Sequence, residues 1–198
     1  MRKILVNDSV TLDGVMQAPG GPEEDTRDGF EHGGWAQPYF DPVMAESASE
    51  GIDKAPEFLF GRRTYEHFAS VWPQQGDDNP FAKVLNASQK WVASTTLTEP
   101  LPWDPASVLP GDAADAVAEL KQGTGPDLVI LGSGVLVRSL MARNLIDEYV
   151  LLIHPLVLGH GRRLFTDEGP PMPLLLVDAK TSTTGVVIAT YQPAGDAP

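Results

Sequence analysis

A chain of 198 residues with 42% hydrophobic content has the length of one domain and enough apolar side chain to bury a core. Its 14 Lys+Arg against 27 Asp+Glu give a net charge of −13, which repels a phosphate backbone or an anionic bilayer, so neither nucleic acid nor membrane is an expected partner. The absence of cysteine excludes disulfide scaffolds, thiol nucleophiles and thiolate metal sites, and with it the expected compartment is cytoplasmic.

Residues 3–9 read as a short buried strand ended by the turn Leu12-Asp13-Gly14; its apolar run, Ile4-Leu5-Val6 before Asn7-Asp8, falls short of a signal-peptide core. A long loop over 17–38 follows, with Gly20-Gly21-Pro22, the acidic group Glu23, Glu24, Asp25 and Asp28, and Gly33-Gly34-Trp35; loops of this length in a compact domain are usually functional or disordered, and this one is read as functional. Residues 41–51 are predicted as a helix with Asp41 as N-cap and Pro42 in its first turn, leading to a strand over 57–60 and a helix that opens at Gly61-Arg62-Arg63-Thr64. Residues 72–80 read as loop and 90–93 as a short strand closed by Ser94-Thr95-Thr96.

Asp112 caps a predicted amphipathic helix over 112–121, residues 128–131 form an apolar strand, and Gly132-Ser133-Gly134 opens a helix over 135–143. Strands over 148–158, 174–182 and 185–191 have no helix between them and are expected to add to the sheet in antiparallel fashion. The apolar runs near 128–137 and 149–158 are interrupted and too short to span a bilayer. The expected architecture is α/β: one domain over 1–192, a three-layer sandwich on a mixed, mostly parallel sheet, with 193–198 as a frayed tail.

Two strand-to-helix junctions carry anion-binding chemistry, Gly61-Arg62-Arg63-Thr64 and Gly132-Ser133-Gly134. A helix start offers unbonded N–H groups and a positive dipole end, glycine admits a phosphate to the backbone, and arginine supplies a cationic fork. Either feature has a plain alternative: the Gly132 junction as a tight turn, Arg62 as an ion-pair partner of Glu66. Gly132-x-Gly134 has Val137 where the dinucleotide fingerprint has its third glycine, so no Rossmann motif is read. Trp35, Tyr39 and Phe40 beside Asp41 suit a planar heterocycle, by stacking and by a charge-assisted bond, or serve as core anchors beside an ordinary N-cap. Asp13 is a turn residue or a ligand contact. The four histidines are dispersed and no His-Glu-x-x-His exists, so no metal is expected; a nucleophile elbow and a P-loop are also missing.

Taken in order, Ser9-Val-Thr-Leu-Asp-Gly14, Gly61-Arg-Arg-Thr-Tyr-Glu66, Lys90-Trp-Val-Ala-Ser-Thr-Thr-Leu97, Leu131-Gly-Ser-Gly134, Leu145-Ile-Asp-Glu-Tyr149 and Pro155-Leu-Val-Leu-Gly-His-Gly-Arg-Arg-Leu-Phe165 resemble the dihydrofolate reductase-like superfamily. Specifically, the chain resembles stand-alone proteins similar to the C-terminal reductase domain of the bifunctional riboflavin-biosynthesis deaminase-reductase. The resemblance implies a sheet of about eight strands ending in an antiparallel hairpin, and NADPH as cofactor. It implies phosphate binding at Gly61, Arg62 and Thr64, with Arg62 toward the adenosine 2′-phosphate and Ser94 and Thr95 along the adenosine side. Gly132, Ser133, Gly134 and Val135 would cradle the pyrophosphate, with Ser9 and Asp13 bordering the nicotinamide.

The expected activity is hydride transfer to a small heterocyclic substrate, such as the phosphoribosylaminouracil of riboflavin synthesis or a pterin- or flavin-related compound. Trp35, Tyr39 and Asp41 are the expected substrate contacts, and Asp41, its pKa raised by burial beneath Trp35, the expected proton donor. The alternative is a nucleotide- or flavin-binding protein without turnover. A homodimer is expected from the resemblance and from the apolar C-terminal strands, which need cover.

Overall fold

The first strand, β1 (Ile4–Thr11), buries Ile4, Val6, Asp8 and Val10, the two-residue period of a strand with one face in a core. A computed structural model describes residues 1–52, 54–76, 78–166 and 170–195. After β1 come α1 (Pro42–Ile52), β2 (Glu57–Gly61), α2 (Arg62–Val71), α3 (Pro80–Ala87), β3 (Lys90–Ala93) and β4 (Ala106–Val108). The second half adds α4 (Ala113–Gln122), β5 (Leu128–Leu131), α5 (Gly134–Met141), β6 (Glu148–His154), β7 (Leu174–Thr181) and β8 (Val187–Pro193).

The strands form one eight-stranded sheet in the order β4-β3-β2-β5-β1-β6-β8-β7. Pairing is parallel from β4 through β6 and antiparallel at β6–β8 and β8–β7. Helices cover both faces, as parallel crossovers require. Val117 of α4 and Leu136, Val137 and Leu140 of α5 pack with Ile4, Val6 and Val10, whereas Tyr65 of α2 and Leu85 of α3 pack with Phe58, Phe60 and Val92. Met44 of α1 lies with Val186 and Ile188.

Adjacent strands β2 and β5 therefore send the chain to opposite faces, β2 into α2 and β5 into α5. A crevice opens between diverging connections at the carboxyl ends of such strands. The sandwich and its mixed, mostly parallel sheet agree with the expected fold class.

Three expectations change. The segment after Asn79 is a helix, α3, started by the Asn79 side chain accepting from Phe81 N and Ala82 N with Pro80 in the first turn. Residues 106–108, unassigned from the sequence, form the edge strand β4. β6 ends at His154 and joins the parallel part of the sheet beside β1, so only β7 and β8 are antiparallel additions. At the C-terminus β8 runs through Pro193 and Ala194 N donates to Pro173 O; 196–198 lie outside the described residues. No described helix is long and apolar enough to cross a membrane.

Candidate active site

Phe58, Leu59 and Phe60 are fully buried, which fixes the end of β2, and Gly61 leaves it in extended conformation as the residue before α2. β5 ends differently: Gly132 at φ +60° and Ser133 at φ +57° are successive left-handed residues that turn the chain sharply into α5. That conformation costs glycine little, so Gly132 is required by its backbone and Ser133 carries strain.

The hydroxyl of Ser133 accepts from Gly61 N at 3.0 Å and donates to Leu131 O at 3.3 Å, tying the two junctions together. Having spent its side chain there, Ser133 gives α5 no side-chain cap. The N–H groups ahead of the first intrahelical bond, Val137 N to Ser133 O, are left for another acceptor.

Both junctions open on one cleft of about 1110 Å³, lined by Gly61 to Thr64, by Leu131 to Leu136, and by Asn7, Asp8 and Ser9 in the middle of β1. The loop after β1 forms its outer wall with Met16, Glu24 and Arg27. Met16 sulfur lies 2.6 Å from where a Cβ on Gly134 would sit, so the loop is packed directly onto the start of α5.

Charges on this wall are cross-linked: Arg27 pairs with Asp25, and Arg162 with Asp28 at 2.7 Å. Gln17, buried, donates to Asp25 O and Arg27 O. Arg62 is partly exposed and bonds Glu66 at 3.0 Å, so its plain alternative is realised in this structure. Arg63 is exposed on the cleft and makes no ion pair among the described residues. Of the two cations at this helix start, which the dipole disfavours, Arg62 has Glu66 as its anion and Arg63 has none among the described residues.

Two carboxyls in the cleft are shifted upward. Glu24 Oε2 accepts from Gly20 N at 2.6 Å and Gly21 N at 3.1 Å, yet burial raises its pKa. Asp8 is only 5% exposed, and its Oδ2 has no hydrogen-bond partner. Burial pushes the Asp8 carboxyl well above the usual carboxylate range; Glu24 adds to this, and a bond from the Ser9 backbone opposes it. Asp8 was missed as a candidate, although the sequence carries a signal for it: an acid in the inward register of a strand otherwise filled by Ile4, Val6 and Val10.

Several expected site residues lie outside the cleft lining. Asp13 accepts from Thr11 Oγ1 at 2.6 Å, Gly159 N at 2.8 Å and Leu158 N at 3.2 Å; these donors, the Thr11 hydroxyl foremost, lower its pKa and make it a clamp between two loops. Ser94 and Thr95 sit past the cleft, where the Ser94 hydroxyl accepts from Thr96 N and Leu97 N; the β3 residue in the lining is Ala93.

Trp35 is buried with Val15 and Phe30, its indole N–H donating to Gln17 O at 2.7 Å. Trp35 and Tyr39 stand edge-on to His154 at 5.1 and 5.5 Å, so they are the core anchors of the plain alternative.

Asp41 is corrected most sharply. One oxygen accepts from Met44 N at 2.9 Å, capping α1, and the other from Thr183 N at 2.6 Å and Thr183 Oγ1 at 2.7 Å. These donors, led by the Thr183 hydroxyl, favour the anion and lower the pKa, the reverse of what a proton donor needs. Glu46 on the same helix is exposed. Among the described residues no three His, Asp or Glu side chains gather into a metal set.

Residues 2–189 match the RibD C-terminal domain. Two uncharacterized proteins of Bacillus subtilis are similar over most of their length. YyaP is 27% identical over 194 residues, 96% of this chain and 94% of its own. YwjB is 27% identical over 164 residues, 83% of each. Among solved structures, one from Shewanella sp. PV-4, assigned to riboflavin biosynthesis, has TM-score 0.72 at 21% identity, covering 96% of this chain and 98% of its own. A pyrimidine reductase-like protein of Corynebacterium diphtheriae has TM-score 0.61 at 13% identity, covering 98% and 93%. At these identities the two structures share the fold.

Proposed function

The chain belongs to the RibD C-terminal domain family, and from that premise we propose that it is a pyridine-nucleotide-dependent reductase with NADPH as its reductant. One observation carries the reading: the β2–α2 and β5–α5 junctions are bonded to each other through Gly61 and Ser133 and open on a single cleft edged by Arg62 and Arg63. The residues present fit such a group. The uncapped start of α5 supplies N–H donors for a pyrophosphate, and Gly132, Ser133, Gly134 and Val135 hold it. Gly61 and Thr64 border the second phosphate site, where Arg62 and Arg63 distinguish a nucleotide with a 2′-phosphate from one without.

Reduced nicotinamide supplies hydride when bound. The chain's own part is to place the carbon of a C=N or C=O group of a small planar heterocycle against it beside Ser9, and to exclude water from the meeting point. Met16 and the loop behind it close that side. A second copy of the chain is part of the proposal, seated on the exposed Leu175, Leu176 and Val177 of the edge strand β7.

Titration with NADPH and NADH, followed by tryptophan quenching, tests the cofactor. NADPH binds more tightly than NADH, and Arg62→Ala and Arg63→Ala reduce that preference. Unchanged NADPH affinity in both variants overturns the assignment. NADPH consumption against pterins, flavin precursors and quinones separates a reductase from a protein that binds nucleotide without turnover.

A further inference from the structure

Asp8 stands apart from the other acids of this cleft. Glu24 holds two backbone amides, Asp25 holds Arg27, and Glu23 is exposed to solvent. Among the described residues no ion pair reaches Asp8, and its Oδ2 is one of two buried side-chain atoms without a hydrogen bond. The other, His154 Nε2, is enclosed by Trp35 and Tyr39 away from the cleft. Buried polar atoms are almost always satisfied, so an orphan that lines a cleft points to a ligand.

Its place is specific. Asn7 of β1 pairs with Leu131 of β5, which sets Asp8 level with Gly132, the first residue of the turn into α5. α1, meanwhile, brings no available acid: Asp41 is consumed by its cap and Thr183, Glu46 faces solvent, and Glu50 pairs with Lys180 at 2.9 Å.

We propose that Asp8 is the acid of this site, its Oδ2–H bonding the heteroatom of the substrate's C=N or C=O and passing its proton there as hydride reaches the adjacent carbon. The proposal rests on the reductase reading above. In the step a C–H bond forms on the substrate carbon, and the π pair moves to the heteroatom. The Oδ2–H bond breaks and an N–H or O–H bond forms. The hydride and its two electrons come from a C–H bond that breaks in the reduced pyridine nucleotide, so the substrate is reduced and the nucleotide oxidised, and the Asp8 carboxylate regains a proton from water.

The surroundings hold the neutral form that such a donor requires. Burial removes water from the carboxylate, and Glu24 across the cleft adds a like charge. Around the same cleft stand Arg62, Arg63 and His67 on α2 and Arg138 on α5, the last donating to Arg163 O at 3.1 Å.

The test uses the full chain labelled with ¹³C at aspartate Cγ. One resonance, assigned by its loss in Asp8→Asn, is expected to stay in the protonated position at neutral pH. Asp8→Asn keeps the wild-type NADPH affinity but lowers kcat on a consumed panel compound by about 100-fold or more, with KM nearly unchanged. Asp8→Glu restores part of the loss.

A resonance already ionised at neutral pH overturns the proposal whatever the activity. So does a protonated Asp8 whose Asn variant keeps full kcat. If wild-type protein binds no pyridine nucleotide, the reductase reading fails and this inference with it, and the binding titration distinguishes that case from the other two.

Discussion

The backbone N–H of Gly61 donates to the Ser133 hydroxyl at 3.0 Å, so a single side chain fixes the turn after β5 against the turn after β2. Ser133 is also a non-glycine residue at φ +57°. Two variants separate the two properties. Ser133→Ala keeps the strained backbone and leaves the Gly61 N–H unpaired, at a cost of about 1 kcal/mol. Ser133→Gly loses the same bond but relieves the left-handed strain, worth on the order of 1 kcal/mol. Urea midpoints are therefore expected in the order wild type near Ser133→Gly, then Ser133→Ala, with NADPH binding weakened in both variants. Equal midpoints for the two variants contradict this account.

Arg62 in this structure is held by Glu66 at 3.0 Å, with both side chains partly exposed. An exposed pair of this kind contributes about 0.2–1 kcal/mol. A phosphate that recruits Arg62 must first displace that carboxylate. Glu66→Gln removes the competitor and the local negative charge, and is expected to tighten NADPH up to about fivefold, which is about 1 kcal/mol, with a smaller change for NADH. The gain shrinks as salt is raised, because the interaction is screened. Weaker NADPH binding by Glu66→Gln would show that the ion pair positions Arg62 rather than withholding it.

Both junctions were legible because local chemistry specifies them. A buried apolar strand, a glycine and a helix-forming run are contiguous at 58–66 and 128–140, and neither needs a distant partner to be recognised. The helix after Asn79 was legible in principle from its Asn-Pro start, but the Pro- and Gly-rich stretch before it reads as continuing loop. β4 is three residues at a sheet edge, too short to show a period. The parallel placement of β6 depends on pairing with β1, more than a hundred residues earlier, which no local pattern encodes. The site residues divide in the same way. Asp41 and Asp13 look like ligands until the donors from Thr183 and Gly159 are seen, and Asp8 looks like a strand terminus until β1 is found to continue to Thr11.

Asp41 provides the pH test. Its pKa is lowered in the folded chain, chiefly by the Thr183 hydroxyl, so the unfolded state binds more protons as the carboxyl titrates. The resulting stability is fully present above the unfolded pKa, near 3.8, and is lost as pH falls through the folded value. Asp41→Asn is expected to lower the urea midpoint at neutral pH and to shrink the difference from wild type in acid. Because Asp41 is outside the cleft lining, NADPH affinity and turnover should be retained. A variant that is stable but inactive would restore Asp41 to the site.

β7 provides the test of assembly. It is the last strand of the sheet, four places from β5, and Leu175, Leu176 and Val177 on it are 60%, 52% and 52% exposed. Three consecutive apolar residues on an open edge invite pairing with another chain, and their exposure is disfavoured in a free protein. Sedimentation of the wild-type chain at micromolar concentration is expected to give twice the 21.3 kDa of one copy. Leu176→Lys places a charge in the centre of the patch and should yield a 21.3 kDa species. Its NADPH affinity should equal that of wild type, since three strands separate β7 from the Gly132 turn. A wild-type monomer overturns the second-copy proposal. A Leu176→Lys variant that remains dimeric places the contact on another face.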